Sequence, residues 1–271
     1  MNTLERIVSN KRLEVAGRKL VIPPKHLVAN LDIYPVRDFA AALSGGRRII
    51  SEVKRRSPAT RSYRKDIDLV GLARAYEQSG AAAISVVTDV TNFGTSLSDA
   101  RLIRETVEIP LLVKDFIVDP YQVYEARAFG ADAVLLIARI CDPPTLTSLV
   151  SLTHTLGMAA LVEAHDEEDL WKAHESGAGI VGINNRDLDS LEVSLDVTRT
   201  LLEKVPNGSI VVSESGISSR TEIDELSVLG VDAFLIGSAL LRSANPARLL
   251  RELAGTASVA REWPSSHQNL A

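Results

Sequence analysis

The chain has 271 residues, of which 45% are hydrophobic and 24% charged, with a formal net charge of −5 and a single cysteine, Cys141. This supplies one large core, argues against broad attraction to nucleic-acid backbones or anionic membranes, and excludes an intrachain disulfide and the usual zinc-ligand spacings. Charges scattered through residues 1–20 leave no signal-peptide apolar segment, and no apolar run reaches bilayer length. The expectation is a soluble, cytoplasmic chain with neither a nucleic-acid nor a membrane partner.

Leu4, Ile7, Val8 and Val15 share one helical face, along which Lys11 can lay its stem, so the chain opens on an amphipathic helix. Pro23, Pro24 and Pro35 then punctuate an irregular connection, and Arg37 to Leu43 offers a second short helix. From there strand-length apolar runs alternate with amphipathic segments. The strand candidates are Arg48 to Val53, Ala82 to Thr88, Pro110 to Lys114, Ala133 to Ile137, Ala159 to Glu163, Ile180 to Ile183, Ile210 to Ser213 and Ala233 to Ile236. Helices are predicted at Leu69 to Ser79, Ser98 to Val107, Tyr121 to Phe129, Ser219 to Leu229 and Pro246 to Leu253, several stopping at glycines such as Gly80, Gly130 and Gly230.

Near-continuous apolar strands separated by helices indicate a parallel sheet covered on both faces, and eight such units suit a (β/α)8 barrel of the TIM type. A doubly wound open sheet is the alternative; it lacks a Gly-x-Gly-x-x-Gly turn and a phosphate loop ending in Gly-Lys-Ser/Thr. The predicted organisation is one domain over 1–271, with an N-terminal helical extension at 1–46, the barrel at 47–253 and a frayed tail at 254–271.

A barrel carries its reactive groups at the C-terminal ends of its strands. This sequence places Glu52, Lys54, Lys114, Glu163, Asn184, Arg186 and Glu214 there. The period of two puts Glu52 and Lys54 on one side of their strand, with Val53 on the other. Singly, each such charge is better read as a salt bridge sealing the rim. Together, polar groups from five strand ends on one face exceed what stability requires. In the seventh and eighth loops, Ser215-Gly216 and Gly237-Ser238 expose backbone N–H groups ahead of helical segments, which favours a phosphate over mere tight turns.

Four ordered segments then carry a family resemblance: residues 51–58 (SEVKRRSP), 112–122 (LVKDFIVDPYQ), 182–188 (GINNRDL) and 213–217 (SESGI). The chain resembles the indole-3-glycerol-phosphate synthases from about the first helix to the last barrel helix. The resemblance implies a carboxy-lyase of tryptophan biosynthesis that converts 1-(2-carboxyphenylamino)-1-deoxyribulose 5-phosphate to indole-3-glycerol phosphate, with loss of carbon dioxide and water. It implies no cofactor and no metal; the expected partner is a small phosphorylated substrate, and the expected state a monomer or weak homo-oligomer. Lys114 would be the acid at the ketone, and Glu163 the base or the partner of the anilino nitrogen. Lys54 would hold the substrate carboxylate or act as the acid in dehydration. Glu52 would fix the lysines, Asn184 orient the substrate and Arg186 position the anthranilate carboxylate. Ser215, Gly216, Gly237 and Ser238 would take the phosphate, with Arg56 adding charge and Glu214 remaining in the inner polar network. Phe93 is read as stacking near the substrate ring or as core. The chain departs from the family pattern at Ala59-Thr60-Arg61 after Ser57-Pro58, and mildly at residues 91–96 around Thr95.

The nearest rivals are a phosphoribosyl-anthranilate isomerase and a barrel that binds phosphate without catalysis. The first calls for a cysteine–aspartate pair, whereas Cys141 precedes Asp142-Pro143-Pro144 and reads as structural; the second calls for loss of the strand-end acid or base, all of which are present. His26, His154, His165, His174 and His267 form no paired ligand motif and read as surface or packing residues.

Overall fold

The computed structural model describes residues 3–57 and 62–255. The departure at Ala59 and its neighbours and the tail beyond Gly255 lie outside the described residues. Eight parallel strands form a closed barrel: β1 Arg48–Val53, β2 Ala83–Val87, β3 Leu111–Lys114, β4 Ala133–Ile137, β5 Ala159–Ala164, β6 Ile180–Asn184, β7 Ile210–Glu214 and β8 Ala233–Ile236. Closure is direct, because β1 pairs with β2 on one side and with β8 on the other, through Ile50↔Ala83 and Arg48↔Ala233. The fold is a TIM barrel, as the alternation of strands and helices predicts.

Alternation along each strand divides the core in two. Ile50, Leu112, Leu135, Leu161, Val212 and Leu235 point inward and fill the barrel. Ile49, Val53, Val86, Val113, Val134 and Val162 point outward, beneath the helices. Helix ends match the predicted stops within one to three residues; Gly230 closes the helix Arg220–Leu229 with φ 117°, a left-handed conformation that side chains rarely adopt.

The N-terminal extension grips both ends of the barrel. Its first helix, α1 (Thr3–Val21), buries Leu4, Val8 and Val15. The proline-rich connection is not wholly irregular: α2 (Pro24–Val28) is a short helix whose first position suits the fixed φ of Pro24. The next helix, α3 (Phe39–Leu43), begins later than the predicted Arg37 because the Asp38 carboxylate caps it, accepting the Ala41 N–H at 2.9 Å. Phe39 and Leu43 are fully buried and join the inward cluster, so α3 plugs the lower mouth of the barrel.

The lower face is clamped by Asp132, immediately before β4. Its carboxylate accepts the Arg37 N–H at 2.7 Å and the Leu111 N–H at 2.8 Å, and pairs with the buried Arg104 guanidinium at 3.0 Å. Arg37 also donates to the Ile109 carbonyl at 3.0 Å. These bonds satisfy polar groups that burial would otherwise penalise.

Candidate active site

Above the packed interior, the C-terminal ends of the strands surround a cavity of about 630 Å3. Glu52, Lys54, Lys114, Glu163, Asn184 and Glu214 all line it, which is the convergence expected from the sequence. Glycine placement makes room for the carboxylates. A Cβ on Gly237 would lie 2.1 Å from Glu52 Oε1, and one on Gly182 would lie 2.3 Å from Glu214 Oε1. The side-chain space of β6 and of the β8 loop is thus occupied by acids reaching across from β7 and β1.

Lys114 stands at the centre. Its Nζ is 2.8 Å from Glu163 Oε2 and 3.0 Å from Glu214 Oε2, with both carboxyl groups buried. Burial works against its charge, but Glu163, Glu214 and Glu52 outweigh it and hold the pKa well above the ordinary lysine range. The two glutamates separate. Glu163 is disfavoured as an anion by burial, yet Lys114 and His165 keep its pKa well below the usual carboxylate value. Burial pushes Glu214 up to about 7, opposed by Lys114 and assisted by the neighbouring Glu163. One site therefore holds a charged ammonium, an ionised carboxylate and a carboxyl that titrates near neutrality.

Lys54 pairs with Glu52 and lies 5.7 Å from the centroid of Phe93. Phe93 is a half-buried part of the cavity wall and belongs to none of the core clusters. Thr95 is fully buried, with its hydroxyl donating to the Val87 carbonyl at the end of β2. Arg186 lines the cavity and is braced by Nη1 donating to the Leu191 carbonyl at 2.8 Å. Arg56 sits apart from these groups: its guanidinium donates to the Thr91 carbonyl at 2.9 Å and lies over Tyr63, away from the cavity lining.

Ser215, Gly216, Gly237 and Ser238 line the cavity along the adjacent β7 and β8 loops. Ser215 adopts φ 66°, the left-handed region that costs a non-glycine residue on the order of 1 kcal/mol. A buried network holds it there. The Asn185 amide donates to Ser213 Oγ at 3.0 Å, to the Glu214 carbonyl at 2.9 Å and to the Ser215 carbonyl at 3.1 Å, while its oxygen accepts Thr198 N–H and Oγ1. Arg242, beyond Ser238, brings a cation to the same lining that the sequence motifs did not single out.

The upper mouth is partly covered by α1, from which Leu4, Arg6 and Ile7 reach the cavity. Lys11 does more than lay its stem on the apolar face: its whole side chain is 2% exposed, with Nζ 2.9 Å from Asp115 and 3.9 Å from Asp89. An ammonium on the apolar side of an amphipathic helix was the available signal, and it required a buried anion opposite.

Among the described residues no cluster of His, Cys, Asp or Glu is arranged to hold a metal, and no helix is long and apolar enough to cross a membrane. His165 is not a surface residue. Its side chain is 3% exposed and packed between Glu163 and Asp169. The alternation that placed Glu52 and Lys54 together also places Glu163 and His165 on one side, so the signal was present.

The family model for indole-3-glycerol phosphate synthase matches residues 4–253. The chain belongs to the indole-3-glycerol phosphate synthase family. Relatives within that family include the indole-3-glycerol phosphate synthase of Dehalococcoides mccartyi strain CBDB1, 47% identical over 256 residues and covering 92% of this chain and 99% of the relative. That of Roseiflexus sp. strain RS-1 is 45% identical over 263 residues, covering 93% and 98%. Family membership makes the chain a carboxy-lyase of tryptophan biosynthesis. Among solved structures, 3-hexulose-6-phosphate synthase from Salmonella typhimurium aligns with a TM-score of 0.61 at 19% identity, over 77% of this chain and 97% of that one. Thiamine phosphate pyrophosphorylase from Pyrococcus furiosus aligns at 0.59 and 18%, over 77% and 94%. At these identities the likeness extends to the fold alone.

Proposed function

We propose that the cavity closes the indole ring of 1-(2-carboxyphenylamino)-1-deoxyribulose 5-phosphate, with Lys114 as the acid and Glu163 as the base. The observation that carries this reading is the Lys114 ammonium held within 3.0 Å of two buried carboxyl groups in a cavity whose far loops present Ser215, Gly216, Gly237 and Ser238. The aromatic carbon bearing the carboxylate bonds to the ketone carbon, and Lys114 gives its proton to the oxygen, which becomes a hydroxyl. The bond to the carboxylate then breaks, its electron pair restores the aromatic ring and carbon dioxide leaves. Finally the hydroxyl departs as water on receiving a proton, as a base removes the proton that allows the ring double bond to form.

Each residue has a task suited to its surroundings. A lysine with a raised pKa is loaded at neutral pH and gives up its proton to a strongly basic alkoxide; Glu214, near 7, is suited to resupply it. Lys54 and Arg186 supply cations for the carboxylate before it leaves, Lys54 also being placed to act in dehydration. Glu52 fixes Lys54, and Asn184 orients the substrate. Phe93 offers a ring face for stacking. The phosphate lies against the β7 and β8 loops, with Arg242 taking the part expected of Arg56. The net charge of −5 suits a small-molecule enzyme working in the cytoplasm, free of nucleic acid, as a monomer or weak homo-oligomer.

The test is release of carbon dioxide from substrate labelled in its carboxylate, measured together with the Michaelis constant of the Ser215→Ala, Ser238→Ala double variant. Release by the wild type, and a KM raised about ten-fold with kcat little changed, is the expected result. A folded wild type that releases none contradicts the reaction, and an unchanged KM contradicts the phosphate placement.

A further inference from the structure

One buried group behind the cavity wall, in contact with Glu163, has no part in the chemistry above. His165 follows β5, and its side chain is almost fully buried. Its Nε2 lies 3.2 Å from Glu163 Oε1, an ion-pair contact, and its Nδ1 lies 3.3 Å from Asp169 Oδ2. The same Asp169 oxygen accepts the His165 backbone N–H at 3.1 Å, which fixes the acid under the ring. Arg139, from the turn after β4, faces Asp169 at 3.4 Å and pairs with Asp166 at 2.6 Å. The charged groups around the imidazole are thus Glu163 from β5, Asp166 and Asp169 from the cap and first turn of the helix Glu167–Glu175, and Arg139. Lys114 from β3 and Glu214 from β7 stand on the far side of Glu163. The two oxygens of Glu163 are divided, Oε2 to Lys114 and Oε1 to His165.

We propose that His165, clamped by Asp169, is a positioning residue: a buried imidazolium that keeps Glu163 ionised and oriented while Lys114 gives up its proton. This rests on Glu163 being the base. When the Lys114 proton moves to the ketone oxygen, Glu163 loses its nearest positive charge. A fully buried carboxylate without a cation takes up a proton and ceases to be a base. A second cation on the other oxygen prevents this, and it must stay outside the proton transfer. His165 meets both conditions, being held from behind by Asp169. Burial opposes its charge, but Asp169 and Glu163 outweigh it and lift its pKa to about 9, so the ring is cationic at neutral pH. Arg139 works against that charge and yet secures Asp169, so the clamp stays in place.

The experiment uses the full chain with glutamate carboxyl carbons labelled with 13C, and the Glu163 resonance is assigned by its loss in Glu163→Gln. His165→Asn keeps a side-chain N–H donor and removes the charge; Asp169→Asn weakens the clamp. In both variants the Glu163 titration midpoint is expected to rise by about one pH unit or more. The acid limb of kcat moves with it, and KM changes little. An unmoved midpoint in folded His165→Asn overturns the proposal, as does a His165→Asn variant that loses only thermal stability. Glu163→Gln that retains turnover instead contradicts the reading of Glu163 as the base, whatever His165 does. Inactive Glu163→Gln combined with an unmoved midpoint removes the His165 proposal alone.

Discussion

Two glycines show how closely the site depends on single residues. At Gly237 and Gly182 an added Cβ first meets the carboxylate oxygens of Glu52 and Glu214 at 2.1 and 2.3 Å, with Glu52 Cβ following at 3.0 Å from Gly237, so the two acids must shift while no backbone atom is struck. Gly237→Ala and Gly182→Ala are expected to lower kcat by about 10²-fold, the usual effect of misplacing a reacting group by about 1 Å. Thermal melting should shift little, and a variant that melts early while turning over normally would contradict this account. His165 gives a pH signature. Its folded pKa, about 9, exceeds the ordinary 6.5, so its stabilisation is fully present below 6.5 and is lost as pH rises through about 9. Denaturant unfolding of wild type and His165→Asn should differ by on the order of 3 kcal/mol near pH 6, with the gap closing near pH 10. At this scale strand alternation made Glu52 and Lys54 legible as a pair and contained the same information for His165. The ring's burial and charge were not legible, because a histidine two residues after a glutamate carries no sign of the Asp169 that packs against it.

Among the elements, α1 is the one whose role depends on the rest of the fold. It reaches the cavity through Leu4, Arg6 and Ile7 and is pinned to the barrel by buried Lys11 against Asp115. Replacing Lys11 with Met leaves Asp115 buried without its cation, a change that typically costs about 3 kcal/mol. Lys11→Met should raise hydrogen exchange in the α1 amides and raise KM, leaving exchange in the barrel strands unchanged. Equal protection of α1 in variant and wild type would show that the ion pair does not hold the helix. The apolar face of α1 was readable from spacing. Its attachment was not, because Lys11, Asp89 and Asp115 meet only after β2 and β3 are in place. The same limit explains α2: prolines read as interruption along the chain, although Pro24 suits the first position of a helix.

For the molecule as a whole, the barrel separates stability from chemistry by its two faces. Below, Asp132 ties Arg37, Leu111 and Arg104 together; above, the strand ends meet around Lys114. Asp132→Ala should lower Tm by roughly 10 °C, since breaking a buried network costs about 3–5 kcal/mol, with kcat/KM below the transition unchanged. A loss of activity without a loss of stability would contradict the division. The eight strands and the upward-facing acids and lysines were legible because strand period and barrel topology alone dictate them. The placement of Arg56 was not, since the first loop directs its side chain to the Thr91 carbonyl. The central claim is that Lys114, reaching from the end of β3 across the barrel mouth to Glu163 of β5 and Glu214 of β7, supplies the acid. Glu214, already near 7, can take up a proton if that cation is removed, so Lys114→Ala should fold. The decisive measurement is the indole fluorescence that develops when wild type and Lys114→Ala meet the carboxyphenylamino-deoxyribulose phosphate. The predicted result is turnover by wild type and a loss of about 10²–10⁴-fold in the variant at unchanged circular dichroism; turnover by Lys114→Ala close to that of wild type would contradict it.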